Sequence, residues 1–479
     1  MASKLKGFVL QHKDACIFLS ILLFTLIPLF CVEYATDTYV VASGGVKSYA
    51  AFVFDSGRPL TALLFFTVGS VWDNVTFLYY ISLALAIFCA FLSVILFSAE
   101  LEPVVGKWAL PLSALTVLNP LCLEYFLFIE KGTFFLSILF IVIGLRFFNR
   151  LSKKRWYFLP LCSLFIGLCA CIYQSAAALF VPLVILFICL RRDTPTQTFS
   201  STLFAVLAYG LGLAINVIFI FTFASTDRVG GINFGNLAHT FLFAGVWQSL
   251  LIYASVLLVL FGISCFFAHR VGFSCFSKDT IIIWLKAAFI LFAAVCAVFA
   301  PFIMVSEGEV WFPFRIIYPL GATIGCICVL IKSKLQLGGK RIGAAVLCCF
   351  FALQIIFFEA MFITRLINNR FDHALAERIG EEISEYEDGT GKEIKNIAIY
   401  YDKSTVTKNP YVIKLGDSNV RAFSKSWGDV NCLNTVLDKD YKRVKGSDKY
   451  MSHFKGYDWQ EFDESQLIFD GDTLHLCIY

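Results

Sequence analysis

The sequence predicts an α-helical polytopic membrane protein of about eleven transmembrane helices followed by a small C-terminal α/β domain. Composition is the first reason: a mean hydropathy of +0.76, with 58% hydrophobic and only 15% charged residues, lies outside the soluble globular range. The second is the recurrence of apolar runs of membrane-spanning length from Ala15 to Thr364. The third is a change of character at Arg365: Lys and Arg outnumber Asp and Glu by 23 to 15 before it, whereas from Arg365 onward the acids lead by 20 to 16. The formal charge of +4 is thus no basic patch, which argues against a nucleic-acid partner.

The expected spans are about 16 to 33, 76 to 98, 108 to 128, 133 to 149, 157 to 173, 176 to 190, 203 to 224, 247 to 268, 281 to 304, 317 to 331 and 342 to 364, each near the ~20 residues a bilayer requires. The first follows Lys4, Lys6 and Lys13 and lacks a small-residue cleavage site, so it reads as a retained signal anchor. Tyr157 to Leu190 would extend ~51 Å as one helix against a ~30 Å hydrocarbon core, which predicts a hairpin bent at Tyr173-Gln174-Ser175.

Basic residues set the orientation, because cytoplasmic loops carry their excess. With the N-terminus inside, 17 Lys and Arg fall on inner segments; Lys47, Arg58, Lys131, Arg228 and Arg315 are the five on outer loops. An odd number of spans then places everything after Thr364 outside. The expected organisation is a membrane domain over residues 1–364, with an outer loop of interest at about 33–75, and a tail domain over 365–479. In the tail, Arg370 to Glu387 reads as a charged helix, Ile394 to Tyr401 as a strand, and Thr473 to Tyr479 as a strand alternating Leu474, Leu476 and Ile478. Most of the 17 cysteines lie in spans as packing residues; Cys432 and Cys477 belong to the tail, where an oxidising compartment would permit a bridge.

The outer loops also gather acids: Glu33, Asp37, Asp55, Asp73, Glu124, Glu130, Asp227, Glu307 and Glu309. Taken singly, each is more readily a solvated loop residue. Glu33 and Asp37, however, are four apart, so a first helix continuing past the membrane would put both on one face and favour one as a general base. Arg315, in Trp311-Phe312-Pro313-Phe314-Arg315, either holds a lipid phosphate in bidentate fashion or snorkels as an anchor. Gln174 at the hairpin tip either caps backbone or meets a sugar. No phosphate-cradling glycine loop, metal-ligand spacing or nucleophile elbow appears, so the chain lacks nucleotide-sugar machinery, and nothing in it supports a divalent cation.

Tyr34-Ala35-Thr36-Asp37-Thr38-Tyr39, Ser56-Gly57-Arg58-Pro59-Leu60, Asn119-Pro120 with Glu124, and Tyr173-Gln174-Ser175 fall in this order on the expected outer face. In this the chain resembles the Gtr-type glucosyltransferases of phage and prophage origin that convert O-antigen serotype. Where many members carry two adjacent acids, it has Asp37-Thr38. The resemblance implies a GT-C-like fold in the bacterial inner membrane that moves glucose from undecaprenyl-phosphate-glucose to lipid-linked O-antigen at the periplasmic face. It also implies two functional partners, a glucosyl-lipid synthase and a small flippase, besides the membrane lipids themselves. On this reading Asp37 is the base with Glu33 as its alternative, Arg58 and Arg315 hold the donor phosphate, and Glu124, Tyr173 and Gln174 line the substrate site. The rival readings are an O-antigen polymerase or ligase, and a non-catalytic transporter or flippase of lipid-linked sugar. Against the transporter stand the absence of charge near mid-span and of inverted broken-helix repeats.

The topology is open to a direct test: alkaline phosphatase fused after Tyr479 is expected to be active, and fused after Lys154 inactive. The opposite pattern would put Asp37 in the cytoplasm.

Overall fold

The computed structural model describes residues 12–151, 157–191, 194–223, 233, 235, 278–304, 313–334, 340–401, 418–455 and 462–478. Among these residues, six helices are long and apolar enough to cross a membrane: Val75–Val117, Lys131–Arg150, Pro195–Phe223, Ile281–Phe302, Phe314–Ser333 and Leu347–Thr390. Pro59–Val71, Phe158–Ile172 and Gln174–Leu190 are shorter apolar helices. The protein is therefore a helical membrane protein, but eleven spans are not established, and the span expected at 247–268 lies outside the described residues.

Several expected elements take a different form. The first helix ends at Thr25 and gives way to a 3₁₀ turn over Ile27–Phe30, because Pro28 has no N–H with which to continue the ladder. The expected loop at 33–75 is mostly helical: Thr36–Gly44, Val46–Asp55 and Pro59–Val71 follow one another. The span expected at 108 to 128 breaks at Asn119-Pro120 into Ala109–Val117, a 3₁₀ turn, and the five-residue helix Leu123–Leu127. A break inside an apolar bundle must satisfy its freed carbonyls from side chains. Here Tyr318 donates to Val117 O (2.8 Å), Asn119 to Thr116 O (3.1 Å) and Gln354 to Leu118 O. Tyr157 to Leu190 does part at Tyr173, whose extended backbone separates Phe158–Ile172 from a 3₁₀ stretch over Gln174–Leu179.

Close approach of backbones draws the bundle together where glycines face each other. A Cβ on Gly212 would lie 2.6 Å from Ile166, and one on Gly167 would lie 2.6 Å from Ile215, so Phe158–Ile172 and Pro195–Phe223 pack with no room for larger residues. At one end of the helices Glu100 accepts from Arg146 (2.9 Å) and Asn149 (2.8 Å), while Asn149 accepts from Arg191 (2.9 Å).

The largest departure lies at the expected domain boundary. Lys340–Thr390 is one helix of 51 residues, about 76 Å long, so the expected span at 342 to 364 and the charged helix at Arg370 to Glu387 are a single element. Beyond it stands a four-stranded sheet in the order β2-β1-β4-β3, with β1 Asn396–Tyr401, β2 Lys442–Val444, β3 Leu467–Asp470 and β4 Thr473–Ile478. β1 pairs in parallel with β2 and β4, and β3 closes the edge antiparallel to β4. Leu474, Leu476 and Ile478 face a core shared with Ile379, Ile383 and Leu433.

Alternation along β4 turns Cys477 to the opposite face, where it packs with Ala398, Tyr400 and Phe454. Cys432 lies in the Leu476 core, so the sheet separates the two thiols. Among the described residues no disulfide joins Cys432 to Cys477, and the expected bridge is not made.

The tail is stapled to the membrane part by a polar stripe on the long helix. Arg365, Asn368, Asn369 and Asp372 follow i, i+3, i+4, i+7 spacing and so share one face. Arg365 donates to Val420 O (3.4 Å), Asn368 to Asn419 O (2.7 Å), and Asn369 exchanges hydrogen bonds with both backbone groups of Tyr34. Asp372 accepts from Arg421 Nε (2.8 Å) and from the Ala422 N–H (2.9 Å). Asp372→Ala removes a buried carboxylate from both donors, and we expect a loss of about 3 kcal/mol, read as a lower thermal midpoint of the detergent-solubilised protein. An unchanged midpoint would mean that the stripe does not hold the tail.

Candidate active site

The charged residues named from the sequence gather where the helices Pro59–Val71, Lys131–Leu151 and Phe314–Lys334 begin. Ser56-Gly57-Arg58-Pro59 makes the first corner. Gly57 has φ +77°, and a Cβ there would lie 2.9 Å from Ile220, so conformation and space both demand glycine. Its carbonyl accepts from Gln174 (2.8 Å) and Asn216 (3.2 Å), and Pro59 then opens the next helix at a position that needs no N–H. Gln174 thus caps backbone. Arg58, pinned between the two, reaches Glu130 with Nη1 at 2.9 Å and lies 5.2 Å over the Tyr173 ring. Its buried Nε has no hydrogen-bond partner among the described residues.

The Asn119-Pro120 break places the second pair. Asn119 accepts from the Leu121 N–H (3.0 Å) and so starts the turn leading into Leu123–Leu127, which carries Glu124 into full burial. Glu124 accepts from the Arg315 backbone N–H (2.8 Å) and stands 3.5 Å from its guanidinium, which covers the Phe128 ring at 4.4 Å. A largely apolar cavity of about 560 Å³ runs along the first helix, from Asp14 and Lys107 to Leu26, Leu118 and Phe126 beside the Asn119 break.

Asp37 sits in the first turn of Thr36–Gly44, where a carboxylate suits the helix N-terminus. It is half-buried, and its Oδ1 accepts from the Trp427 indole N–H at 3.1 Å. Thr38, the neighbour of Asp37, is buried and accepts from the Ala35 N–H (3.2 Å), a capping role. Asp37, Arg58 and Arg315 all bear on Glu130: burial pushes the Glu130 carboxyl up, Arg58 pulls it back, Asp37 raises it further and Arg315 lowers it. Burial raises the Tyr49 hydroxyl, and the same four charges bear on it, so it looks into the same space.

Glu33 is not beside Asp37 on a helix face. With the first helix ended at Thr25, residues 32–35 belong to no helix, and Glu33 turns inward towards Lys131 and Arg365. It is 3% exposed, and neither of its carboxylate oxygens has a hydrogen-bond partner among the described residues. Lys131 Nζ lies 3.5 Å over the Tyr79 ring, whose hydroxyl donates to Leu29 O (2.9 Å). Among the described residues, no three His, Cys, Asp or Glu side chains are grouped to hold a metal.

Glu130, Lys131, Arg365 and Trp427 had no assigned role in the sequence. The pair Glu130-Lys131 at the mouth of an apolar helix was a usable signal, and so was the spacing of Arg365, Asn368, Asn369 and Asp372. Trp427 carried none, since its partner is 390 residues away.

A carboxylate beside two guanidiniums at the mouth of an apolar helix bundle is the equipment of a membrane-embedded group transferase. The family model described as glucosyl transferase GtrII matches residues 26–330, more than half of the chain. The chain belongs to that family and is a glucosyltransferase. The match takes in Glu33, Asp37, Arg58, Glu124, Tyr173, Gln174 and Arg315 and stops short of Arg365 and the sheet. No curated protein and no solved structure matches.

The buried Glu33 makes stability depend on pH. Burial pushes its carboxyl from 4.5 up to about 7, against the pull of Lys131 and Arg365. The folded protein therefore holds this proton more tightly than the unfolded chain between those values. Stability attributable to Glu33 should fall by about 3 kcal/mol as pH rises through that window and level off above it. Thermal midpoints of wild type and Glu33→Gln across pH 4 to 8 would test this: the variant should lose that part of the slope. Parallel curves would refute the assignment.

Proposed function

We propose that the protein transfers glucose from undecaprenyl-phosphate-glucose to lipid-linked O-antigen, or a related surface glycan, at the periplasmic face of the bacterial inner membrane. The observation that carries this reading is the placement of two buried ion pairs, Arg58 with Glu130 at 2.9 Å and Arg315 with Glu124 at 3.5 Å, at the starts of neighbouring apolar helices, with Asp37 near enough to bear on Glu130. An acceptor hydroxyl attacks the anomeric carbon and passes its proton to Asp37; the bond from that carbon to the phosphate oxygen breaks, and the electron pair leaves on the phosphate. A phosphate leaving group needs stabilised charge more than a general acid, and Arg58 and Arg315 supply it. Arg58 is preorganised by Glu130 and Tyr173 while its buried Nε keeps a donor in reserve. Direct displacement inverts the anomeric centre, so a β-linked donor yields an α-glucoside.

The apolar cavity that touches Leu118 and Phe126, on either side of the Asn119 break, offers room for part of a polyprenyl chain. Glu33, the alternative base, is enclosed between Lys131 and Arg365, a place that suits holding those cations better than meeting an acceptor hydroxyl. The tail, residues 365–479, is proposed to work outside the membrane as part of the same enzyme. A glucosyl-lipid synthase and a small flippase would supply the donor at that face.

Transfer of labelled glucose from synthetic undecaprenyl-phosphate-glucose to lipid-linked glycan tests the proposal. Asp37→Asn keeps shape and removes basicity, so turnover should drop by roughly 10²- to 10⁴-fold with donor binding nearly intact. Arg58→Ala should weaken donor binding as well as turnover, because the phosphate loses its partner in ground and transition states alike. Wild-type turnover in Asp37→Asn would remove Asp37 from the mechanism.

A further inference from the structure

We propose that the tail domain supplies the acceptor platform, with the Trp427 indole as the face on which a pyranose ring of the acceptor glycan stacks beside Asp37. The indole N–H is committed to Asp37 Oδ1 at 3.1 Å, yet the residue remains 49% exposed. Such a ring, at the end of a folded domain and in contact with the carboxylate proposed as base, offers a flat apolar face beside a polar tip.

The turn that carries Trp427 is fixed on both sides. A Cβ on Gly428 would lie 2.8 Å from Ala422 O and 3.4 Å from the Thr36 methyl, so the bare α-carbon lets the turn rest on the helix bearing Asp37. Asn431 donates to Trp427 O (2.7 Å), and Ser43 of the Asp37 helix donates to Asn431 (2.6 Å). Tyr39, from the same helix, is buried in the tail core beside Cys432 and Leu433. Position and orientation of the ring are thus set by contacts that leave much of it uncovered. Lys425 lies 5.2 Å over the ring centroid.

An indole face is electron-rich, and the C–H bonds on one side of a pyranose present the matching positive edge. A sugar stacked there holds its ring hydroxyls next to Asp37, which is where the nucleophile must stand. Trp427 would then act on acceptor binding, while Arg58 and Arg315 act on the donor. The inference rests on the glucosyl-transfer reading only for the role of Asp37.

The test uses the full chain in nanodiscs and two measurements. Binding of lipid-linked O-antigen glycan without donor reads the platform; turnover with undecaprenyl-phosphate-glucose reads the transfer chemistry. Trp427→Phe, which keeps an aromatic face, should bind the glycan within about threefold of wild type, and Trp427→Leu, which keeps apolar bulk alone, should bind roughly tenfold more weakly with donor KM unchanged. Equal glycan affinity in wild type and Trp427→Leu would overturn the proposal. So would equal losses in both variants together with a lowered thermal midpoint, which would assign the ring to packing between tail and membrane part. Wild-type protein that binds the glycan but transfers nothing from this donor would count against the proposed donor and leave the platform standing.

Discussion

Charge taken out of water has to be met, and the structure around the site is arranged by that requirement. Arg58 is met by Glu130 and Tyr173, Arg315 by Glu124 and Phe128, Arg421 by Asp372, and Lys131 by the Tyr79 ring. Each pairing joins segments distant in sequence. The charges therefore hold together the helix starts that the apolar packing below brings near one another without fixing their registry.

Glu33 is the exception that shows how tightly this end is closed. Its oxygens have no hydrogen-bond partner among the described residues, and the compensation comes from Lys131 and Arg365 acting through space. Such a group lowers stability as it ionises, and it ties the segment after the first helix to the long helix that carries the tail. Arg365 stands at the junction: it faces Glu33 on one side and heads the stripe that binds residues 419–422 on the other.

Much of the helical membrane part was legible because burial in lipid demands long apolar runs, and the tail strands announced themselves by alternation. Position within those elements was harder. A shared face for Glu33 and Asp37 requires the first helix to continue past the membrane, and Pro28, visible in the sequence, is what ends it. The helix Pro59–Val71 was missed because its apolar stretch is too short to count as a span. A polarity change at Arg365 looked like a domain boundary, yet helical hydrogen bonds are indifferent to whether a side chain meets lipid or water. Alternation of Leu474, Leu476 and Ile478 already implied that Cys477 points the other way, a reading the strand assignment could have yielded. The contact of Trp427 with Asp37 had no local trace, since it depends on how the tail docks.

The unbroken helix from Lys340 to Thr390 sets a phase as well as a distance. Adding or removing one residue between the membrane and Arg365 would turn the whole tail by about 100° around the helix axis and displace it by about 1.5 Å. A substitution there is tolerable wherever packing allows; a change of length is not, because the stripe would face away from Tyr34 and the turn at Trp427 away from Thr36. Exchange of tails between relatives therefore works only at joints that preserve helical phase, and evolution of the C-terminal part is confined to changes that keep this rod in step.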